Sequence, residues 1–144
     1  MITMHADAAG HQASAAKPGL SQKGNAMVEF ALILPLFLLL LFGVIYFSVA
    51  LYNKTVLAIA TREGARAGAV YEAVTNDALR ESTAKAIAWE MYKENFVSFG
   101  SGEPNRPTAT IQGDILTVTA SGDYDAFYLF PGFSISAQTS MRLE

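Results

Sequence analysis

A single carboxylate stands at the start of the longest apolar run in this chain. Glu29 follows Lys23 and Gly24 closely, and the next charged side chain is Lys54. A carboxylate at membrane depth costs up to about 3 kcal/mol near the midplane and less toward the interface, so its presence invites a functional interpretation. The alternative is a local one, because the dipole of a helix N-terminus favours an acid by about 0.3–1 kcal/mol without any partner.

The other chemically capable residues do not form a recognisable catalytic set. Acid–base and nucleophilic catalysis need a positioned His, Cys, activated Ser or carboxylate pair. The chain has no cysteine, and His5 and His11 both lie in its first 24 residues. Asp123 and Asp125 could share a strand face, but acids at this spacing in a Gly-Asp turn are usually solvated turn residues. With no phosphate loop or metal-ligand cluster visible either, we predict a non-enzyme without a cofactor or metal.

The apolar run itself is long enough to cross a membrane. Residues 30–53 form a stretch of 24 without a charged side chain. As a helix this stretch would extend about 36 Å, against a hydrocarbon core of about 30 Å. The rest of a 144-residue chain leaves room for one small domain, and the formal net charge of -3 argues against nucleic acid as a partner. We therefore predict a single-span protein that contacts membrane lipid.

Residues 1–24 are polar and rich in Ala and Ser, and we expect them to be disordered before any processing. An ordinary secretory signal carries its apolar region ahead of the cut, whereas nothing apolar precedes Gly24. Cleavage behind the run is an alternative, because Ser48-Val49-Ala50 has the small-x-small form that signal peptidases accept. Against a cut after Ala50, residues 30–47 exceed the roughly 7–15 residues of a usual signal core.

The residues around Glu29 follow a recognisable order. From Gly24 to Gly43 the sequence reads GNAMVEFALILPLFLLLLFG, preceded by a short basic leader. A leader ending in glycine, four residues, a glutamate and a long apolar helix is the pattern of type IV prepilins. More specifically, the segment resembles the opening of the TadE-like minor pilins (pseudopilins) of bacterial tight-adherence, or Flp, pilus systems. Residues 60–66 and the closing residues 141–144 are also similar to that family, the latter loosely.

The resemblance implies processing and a subunit contact. A membrane prepilin peptidase would cut on the cytoplasmic side between Gly24 and Asn25, where glycine leaves an extended backbone unobstructed. Lys23 would hold the cut site at the anionic headgroups. Glu29, the fifth residue after the cut, would face the new amino group at Asn25 of a neighbouring subunit. Opposite charges in apolar surroundings set register more than they add affinity.

The processing argument places the N-terminus in the cytoplasm and the C-terminal domain in the periplasm, in a bacterial inner membrane. Loop charge runs slightly against this orientation, because two lysines precede the span and three basic residues follow it. These are Lys17 and Lys23 before the span, and Lys54, Arg62 and Arg66 after it.

The helix is expected to continue beyond the membrane, because apolar and small residues recur at steps of three and four. These residues are Leu57, Ala60, Gly64, Ala67, Tyr71 and Val74. Ala60, Gly64 and Gly68 form a small-xxx-small series that permits close approach, either within this chain or from another subunit. Glu63 and Arg66 can pair on the exposed side, but they do not form a site.

A second helix is predicted from the capping sequence at residues 75–77 to about Phe96. We expect its buried face to be Leu79, Thr83, Ile87 and Met91 with Ala84 and Ala88. The aromatic residues near its end are expected to fill the core; they are Trp89, Tyr92, Phe96 and Phe99. Glycines and prolines at residues 100–107 then break the helix.

The remaining sequence has a period of two. Residues 108–112 and 115–120, joined at Gly113 and Asp114, predict a β-hairpin, and residues 124–130 predict a further strand or a strand extension. In the last segment one face is apolar and expected to be buried on the helices; it comprises Phe133, Ile135, Ala137, Thr139, Met141 and Leu143. The fold class is therefore α+β and pilin-like, with a long N-terminal helix, transmembrane in its first half, and a second helix packed on a small antiparallel sheet.

The predicted organisation has four parts: a cytoplasmic prepilin leader at 1–24, a transmembrane helix at 25–53, an extracytoplasmic helical region at 54–99 and an antiparallel β region at 100–144. The resemblance implies a non-enzymatic minor pilin that takes part in assembling a tight-adherence pilus for surface adhesion. Its partners would be other pilin subunits, prepilin peptidase and the inner-membrane pilus assembly machinery. The alternative is a bitopic envelope protein whose periplasmic domain binds a partner or ligand unrelated to pili.

Overall fold

The computed structural model describes residues 20–70, 76–125 and 131–143, with side chains described from Gly24 onward. Its elements, in chain order, are α1 (Leu20–Ala69), α2 (Asp77–Tyr92), β1 (Pro104–Gln112), β2 (Ile115–Tyr124) and β3 (Phe133–Arg142). The predicted α+β class, with a long apolar N-terminal helix, a second helix and a small antiparallel sheet, is confirmed. Most of the predicted leader, residues 1–19, lies outside the described residues.

The chain divides into two compact units, Met1–Leu40 and Leu41–Glu144. The first contains the beginning of α1, and the second contains the end of α1, α2 and the sheet. The core of the second unit lies where the two helices meet one face of the sheet, and its largest fully buried side chains include Tyr92, Tyr124, Leu57 and Leu116.

In the second unit, α1 buries a stripe with the helical spacing that the sequence predicts. Leu57, Ala60 and Gly64 are buried as expected, whereas Ala67 is half-buried. Tyr71 and Val74, the last two residues predicted for this stripe, lie outside the described residues. Two polar residues, Asn53 and Thr61, share the buried stripe. The Thr61 hydroxyl lies 2.9 Å from that of Thr139 on β3, so its polar atom is satisfied within the core.

The small residues of α1 bring α2 and the sheet unusually close. A Cβ atom added at Gly64 would lie 2.6 Å from the carbonyl oxygen of Ala84 and 2.9 Å from the Cβ atom of Ala88. At Gly68 it would lie 2.5 Å from a methyl carbon of Leu116. Of the two expectations for the small-xxx-small series, contact within this chain is therefore the one that the structure shows.

The start of α2 is capped as predicted. The side chain of Asn76 accepts a hydrogen bond from the backbone N–H of Ala78 at 3.0 Å, and Asp77 provides an acid in the first turn. Arg80, one turn later, donates to the carbonyl oxygens of Gly68 and Ala69 at 3.3 and 2.9 Å. These carbonyls end α1 and lack partners within the helix, so Arg80 ties the two helices together.

The predicted end of α2 at about Phe96 is wrong, because the helix ends at Tyr92. The backbone N–H groups of Asn95 and Phe96 both bond to the carbonyl of Tyr92, at 3.1 and 3.0 Å, which closes the chain into a turn. The next residue, Val97, is held by Asn53 of α1 through both of its backbone polar groups. A tertiary contact therefore ends the helix earlier than its side-chain pattern indicates.

The predicted buried face of α2 is also wrong in its large residues. Leu79, Ile87 and Met91 are exposed, with accessible fractions of 44%, 41% and 37%. The buried residues are instead Ala84, Ala88 and Tyr92. The glycines of α1 lie too close for a larger side chain than alanine, so the core selects the small face of α2 and leaves the bulkier one outside. Trp89 and Phe96 pack partly buried against the core, as expected, whereas Phe99 is 42% exposed.

The sheet is an antiparallel meander in the order β1-β2-β3. The predicted hairpin is confirmed: Gln112 pairs with Ile115 across a two-residue loop, and Gly113 has φ of +60°. Glycine at this first loop position is typical of a type II′ turn. Both strands are longer than predicted, because β1 begins at Pro104, within the expected break, and accommodates an irregularity between Asn105 and Thr108.

The alternation predicted for the last strand is confirmed. Ile135 and Ala137 are buried and Thr139 and Met141 are half-buried, while the intervening residues are exposed. Phe133, at the start of β3, is an exception with an accessible fraction of 45%. The strand predicted over residues 124–130 is represented only by Tyr124, which ends β2, since residues 126–130 lie outside the described residues.

Side chains from the helices reach both edges of the sheet. At the β1 edge, Glu81 accepts a hydrogen bond from the backbone N–H of Ile111 at 2.9 Å, and Tyr92 donates to the carbonyl of Asn105. At the β3 edge, Lys54 of α1 donates to the carbonyl of Ser136. Edge strands expose unpaired backbone groups that can recruit other chains, and these contacts occupy some of them.

Candidate membrane and subunit interface

The bond that the sequence marks for processing lies inside α1. The helix begins at Leu20, so Gly24 and Asn25 both have helical backbone. Both residues are exposed, and a Cβ atom added at Gly24 would meet nothing within 4 Å. Proteases bind substrates in an extended conformation as a rule, so cutting here would require the first turns of α1 to unwind.

Glu29 lies one turn further along and is exposed. Most of the apolar residues that follow it within the first unit are exposed as well, for example Phe30 by 63%, Leu32 by 75% and Leu36 by 68%. Large apolar side chains exposed continuously along a helix are not stable in water, because burying each is worth about 1.5–3 kcal/mol. This part of α1 therefore requires lipid or another protein around it.

Length and composition identify one helix that could cross a membrane within the part of the chain that the structure describes. It covers Gly24–Ala69 and reaches a mean hydropathy of 2.8 in its most apolar window, none of which is buried. That window fits the predicted span better than a soluble core helix, since a core helix would bury most of its apolar side chains.

Tyr46 of α1 makes several contacts with the loop and strands around the β2–β3 connection. Its hydroxyl donates to the carbonyl of Pro131 at 2.9 Å, and its ring stacks on Tyr124 with centroids 5.1 Å apart. The hydroxyl of Tyr124 donates in turn to the carbonyl of Tyr46 at 3.2 Å. Phe133 packs edge-on against both rings, at 5.9 and 5.7 Å. An aromatic cluster therefore joins α1, the end of β2 and the start of β3.

Two turns beyond Tyr46, Asn53 is fully buried. Its side-chain amide donates to the carbonyl of Val97 at 2.6 Å, and its side-chain oxygen accepts from the N–H of Val97 at 2.9 Å. This two-bond contact mimics a strand ladder and fixes the segment after α2 against α1. The sequence alone suggests only that Asn53 closes the uncharged run.

Replacing Asn53 with leucine is expected to lower the free energy of unfolding of the second unit by about 2–4 kcal/mol. Leucine keeps the number and branching of the side-chain heavy atoms, but both backbone groups of Val97 would lose their partners in a partly buried site, at about 1–3 kcal/mol each with partial relief by water. The measurement is denaturant unfolding of the detergent-solubilised full chain. Asn95→Leu is the matched control, because Asn95 is exposed and its side chain donates to the carbonyl of Met91 one turn back; equal effects of the two substitutions would contradict the assignment.

Tyr92 illustrates how the core treats a polar group. Its side chain is fully buried, and its hydroxyl donates to the carbonyl of Asn105. Burial raises the pKa of Tyr92 to about 12, with the charge of Arg106 acting in the opposite direction. The hydroxyl therefore remains a neutral donor well above physiological pH. Arg106 itself lies over the ring of Trp89 at 5.1 Å and ties β1 to α2.

Asp123 and Asp125 are predicted from the sequence to be solvated turn residues; Asp123 is exposed, as expected, but lies in β2, and both carboxylates accept hydrogen bonds. Asp123 accepts from the hydroxyl of Ser134, which links β2 to β3. Asp125 accepts from the hydroxyl of Ser101 at 3.0 Å, and its backbone carbonyl accepts from the N–H of Phe99 at 3.2 Å. Within the described ranges, no three Asp, Glu or His side chains come together as a metal site would require.

Glu63 and Arg66 are exposed, as expected for solvated charges. They do not pair with each other; the ion pairs recorded among the described residues are Lys93 with Glu90 at 2.7 Å and Arg142 with Asp114 at 3.5 Å. Both are surface pairs and contribute little to stability.

Comparison with known proteins bears on this helix. Residues 24–66 match the family model described as TadE-like protein. This segment of the chain is TadE-like. The match confirms the resemblance found in the sequence, and it begins at Gly24, covers Glu29 and ends at Arg66. No curated protein and no solved structure matches the chain significantly.

The TadE-like segment and the exposed apolar helix together support a membrane protein related to tight-adherence pili. Pilin-type families of this kind are generally non-enzymatic, and their members interact with other pilus components. The segment spans the apolar half of α1 and most of its buried stripe, whereas α2 and the sheet lie beyond it.

Sequence reasoning missed the residues that join α1 to the rest of the second unit, namely Tyr46, Asn53, Lys54 and Arg80. A signal was present for Asn53, which lies four residues before Leu57 and so belongs to the same helical stripe. Tyr46 offered no comparable signal, because its partners lie 78 and 85 residues further along the chain.

Proposed function

We propose that this protein is a non-enzymatic TadE-like minor pilin that takes part in assembling a tight-adherence pilus. The observation that carries the proposal is the exposed apolar helix with one acid near its start, in the segment that matches the TadE-like family. A helix of this kind is suited to two environments, because the side chains that face lipid can later face the helices of other subunits. Its neighbours would be other pilin subunits and the inner-membrane assembly machinery.

Processing by a prepilin peptidase between Gly24 and Asn25 is part of this proposal. Gly24 and Asn25 are exposed, and a Cβ atom added at Gly24 would meet nothing within 4 Å, which suits entry into a protease. Its helical backbone must first unwind, and glycine favours this step because it costs a helix about 1 kcal/mol relative to alanine. The cut would leave a new ammonium group at Asn25, one helical turn from Glu29.

Glu29 would then receive the ammonium group of a neighbouring subunit. Its carboxylate is exposed and lies in surroundings that are otherwise apolar. An unpaired charge there is costly at bilayer depth, whereas a pair formed between two subunits lowers that cost and fixes their stagger. We place the N-terminus in the cytoplasm and the domain from Leu41 onward in the periplasm, anchored in the inner membrane until the subunit is extracted.

The test is the mass of the native N-terminus in cells with and without the prepilin peptidase. We expect a chain that begins at Asn25 in the first strain and one that retains residues before Gly24 in the second. An uncut chain in both strains would favour the alternative, a bitopic envelope protein with a periplasmic binding domain. A terminus just after Ala50 would indicate an ordinary signal peptidase and overturn the proposal in a different way.

A further inference from the structure

An apolar groove lies at the end of the second unit that carries Tyr46. It has a volume of about 310 Å³ and separates α1 from the edge strand β3. Its walls are Phe47, Ala50, Leu51 and Lys54 from α1, and residues 133–136 from β3. We refer to it as the α1–β3 groove.

Three of the large side chains in this groove are exposed although they sit in a well-packed region. Phe47, Leu51 and Phe133 have accessible fractions of 63%, 52% and 45%. Phe133 nevertheless packs edge-on against the rings of Tyr46 and Tyr124, so contacts within the fold set its position beside α1. Fixed apolar side chains that converge on a groove from two elements mark a contact surface.

The place of the groove along the chain indicates what covers it. Gly24 to Ile45 is the stretch of the apolar helix that precedes Tyr46, whose hydroxyl donates to the carbonyl of Pro131. These 22 residues rise about 33 Å as a helix, close to the roughly 30 Å of a bilayer core. A bilayer core that begins at Gly24 would therefore end near Tyr46, which would place Phe47 and Leu51 at the depth of the headgroups and upper acyl chains.

The composition of the groove suits that depth. Tyr side chains collect at membrane interfaces, and Tyr46 lies here beside Phe47 and Phe133. Lys54, at the rim, has a long apolar stem and an ammonium group that can reach headgroup phosphates. The same ammonium donates to the carbonyl of Ser136, so the rim is polar on the side away from the rings.

We propose that the α1–β3 groove is a lipid-binding surface, which seats the domain on the bilayer leaflet with Phe133 of β3 in the interfacial layer. The ligand is the phospholipid of that leaflet, because the groove is continuous along α1 with the apolar helix. This inference rests on the membrane span within the proposed function and is independent of pilus assembly and of leader cleavage. It also makes the span shorter at its outer end than residues 25–53, because Tyr46 to Asn53 belong to the domain.

The absence of cysteine from the chain allows a direct test. Phe133→Cys and Ile115→Cys variants of the full chain are spin-labelled and reconstituted in vesicles of phosphatidylethanolamine and phosphatidylglycerol. Ile115 is the matched control, since it is an apolar strand residue with 50% exposure at the opposite end of the sheet, about 30 Å away. The readout is the ratio of label accessibility to oxygen over a water-soluble nickel chelate.

We expect this ratio to be several-fold higher at position 133 than at position 115, because oxygen concentrates in lipid and the chelate stays in water. Equal ratios would overturn the proposal. Spin–spin broadening at position 133 that disappears on dilution with unlabelled protein would also overturn it, because the groove would then face a second copy. If Phe133→Cys fails to fold, Ser136→Cys probes the same groove with a nearly isosteric change at an exposed residue.

The vesicles contain no peptidase and no other pilin, so this result and the N-terminal mass are independent. A high ratio at position 133 with an uncut native chain would preserve the lipid surface and reject the pilin. A low ratio together with cleavage after Gly24 would reject the lipid surface and preserve the pilin.

Discussion

Replacing Gly64 with alanine is expected to lower the free energy of unfolding of the second unit by about 1–3 kcal/mol, the usual effect of overpacking. The direction of this change is informative, because the same substitution in an unobstructed helix raises the free energy of unfolding by up to about 1 kcal/mol. Here the new methyl group would lie 2.6 Å from the backbone carbonyl oxygen of Ala84, which cannot rotate aside as a flexible side chain would. Removing this clash would require α1 and α2 to separate, and Ala88 would then lose its contact with α1.

The measurement is denaturant unfolding of the full chain in detergent, followed by the fluorescence of Trp89. This residue is the one tryptophan of the chain and packs on Tyr92 in the α2 core, so it reports the contact in question. Glu63→Ala is the control, since Glu63 precedes Gly64 and is exposed; we expect a change within about 0.5 kcal/mol. A Gly64→Ala variant that proved more stable than the native protein would mean that the helices do not approach as described.

Replacing Glu29 with alanine is expected to abolish or severely reduce filament assembly while leaving membrane insertion intact. Membrane insertion becomes more favourable, because a charge at bilayer depth costs up to about 3 kcal/mol and the substitution removes it. Assembly loses the group that we propose receives the ammonium of a neighbouring subunit and fixes its register. Glu29 is exposed, so among the described residues the substitution disturbs no packed contact that would confuse the result with misfolding.

Piliation seen by electron microscopy and co-purification of partner pilins are the two readouts, with membrane fractionation to verify insertion. Glu63→Ala again serves as the control, because it removes an exposed acid from the same helix outside the proposed span. Wild-type piliation together with unchanged co-purification in Glu29→Ala would defeat the proposed role. Loss in both variants would point to a general effect of acidic charge.

Much of the architecture is encoded in local patterns that a reader of the sequence can recognise. The uncharged run predicts the apolar helix because few structures can hold so many consecutive apolar residues in water. The period of two in residues 133–143 predicts β3 and its buried face, and the Gly113-Asp114 pair predicts the hairpin. Asn76 predicts the start of α2, since its side chain caps the helix through bonds within one turn.

The residues of the candidate interface also fall into two groups: those visible in the sequence and those that only the fold brings together. Gly24, Asn25 and Glu29 are visible in the sequence because their significance comes from spacing along one helix. The α1–β3 groove is not visible in the sequence. Phe47 and Phe133 are 86 residues apart and line the same groove only once the chain has folded.

The sequence by itself determined the membrane helix, the capped second helix, the strands and the position of the lone acid, since each depends on neighbours within a few residues. The tertiary structure alone decided which face of α2 is buried and where that helix ends. Helical periodicity favoured Leu79, Ile87 and Met91, but the close approach of Gly64 and Gly68 admits only the alanine face. Likewise, the two bonds from Asn53 to Val97 end α2 at Tyr92, and no local pattern carries information about a partner 44 residues away.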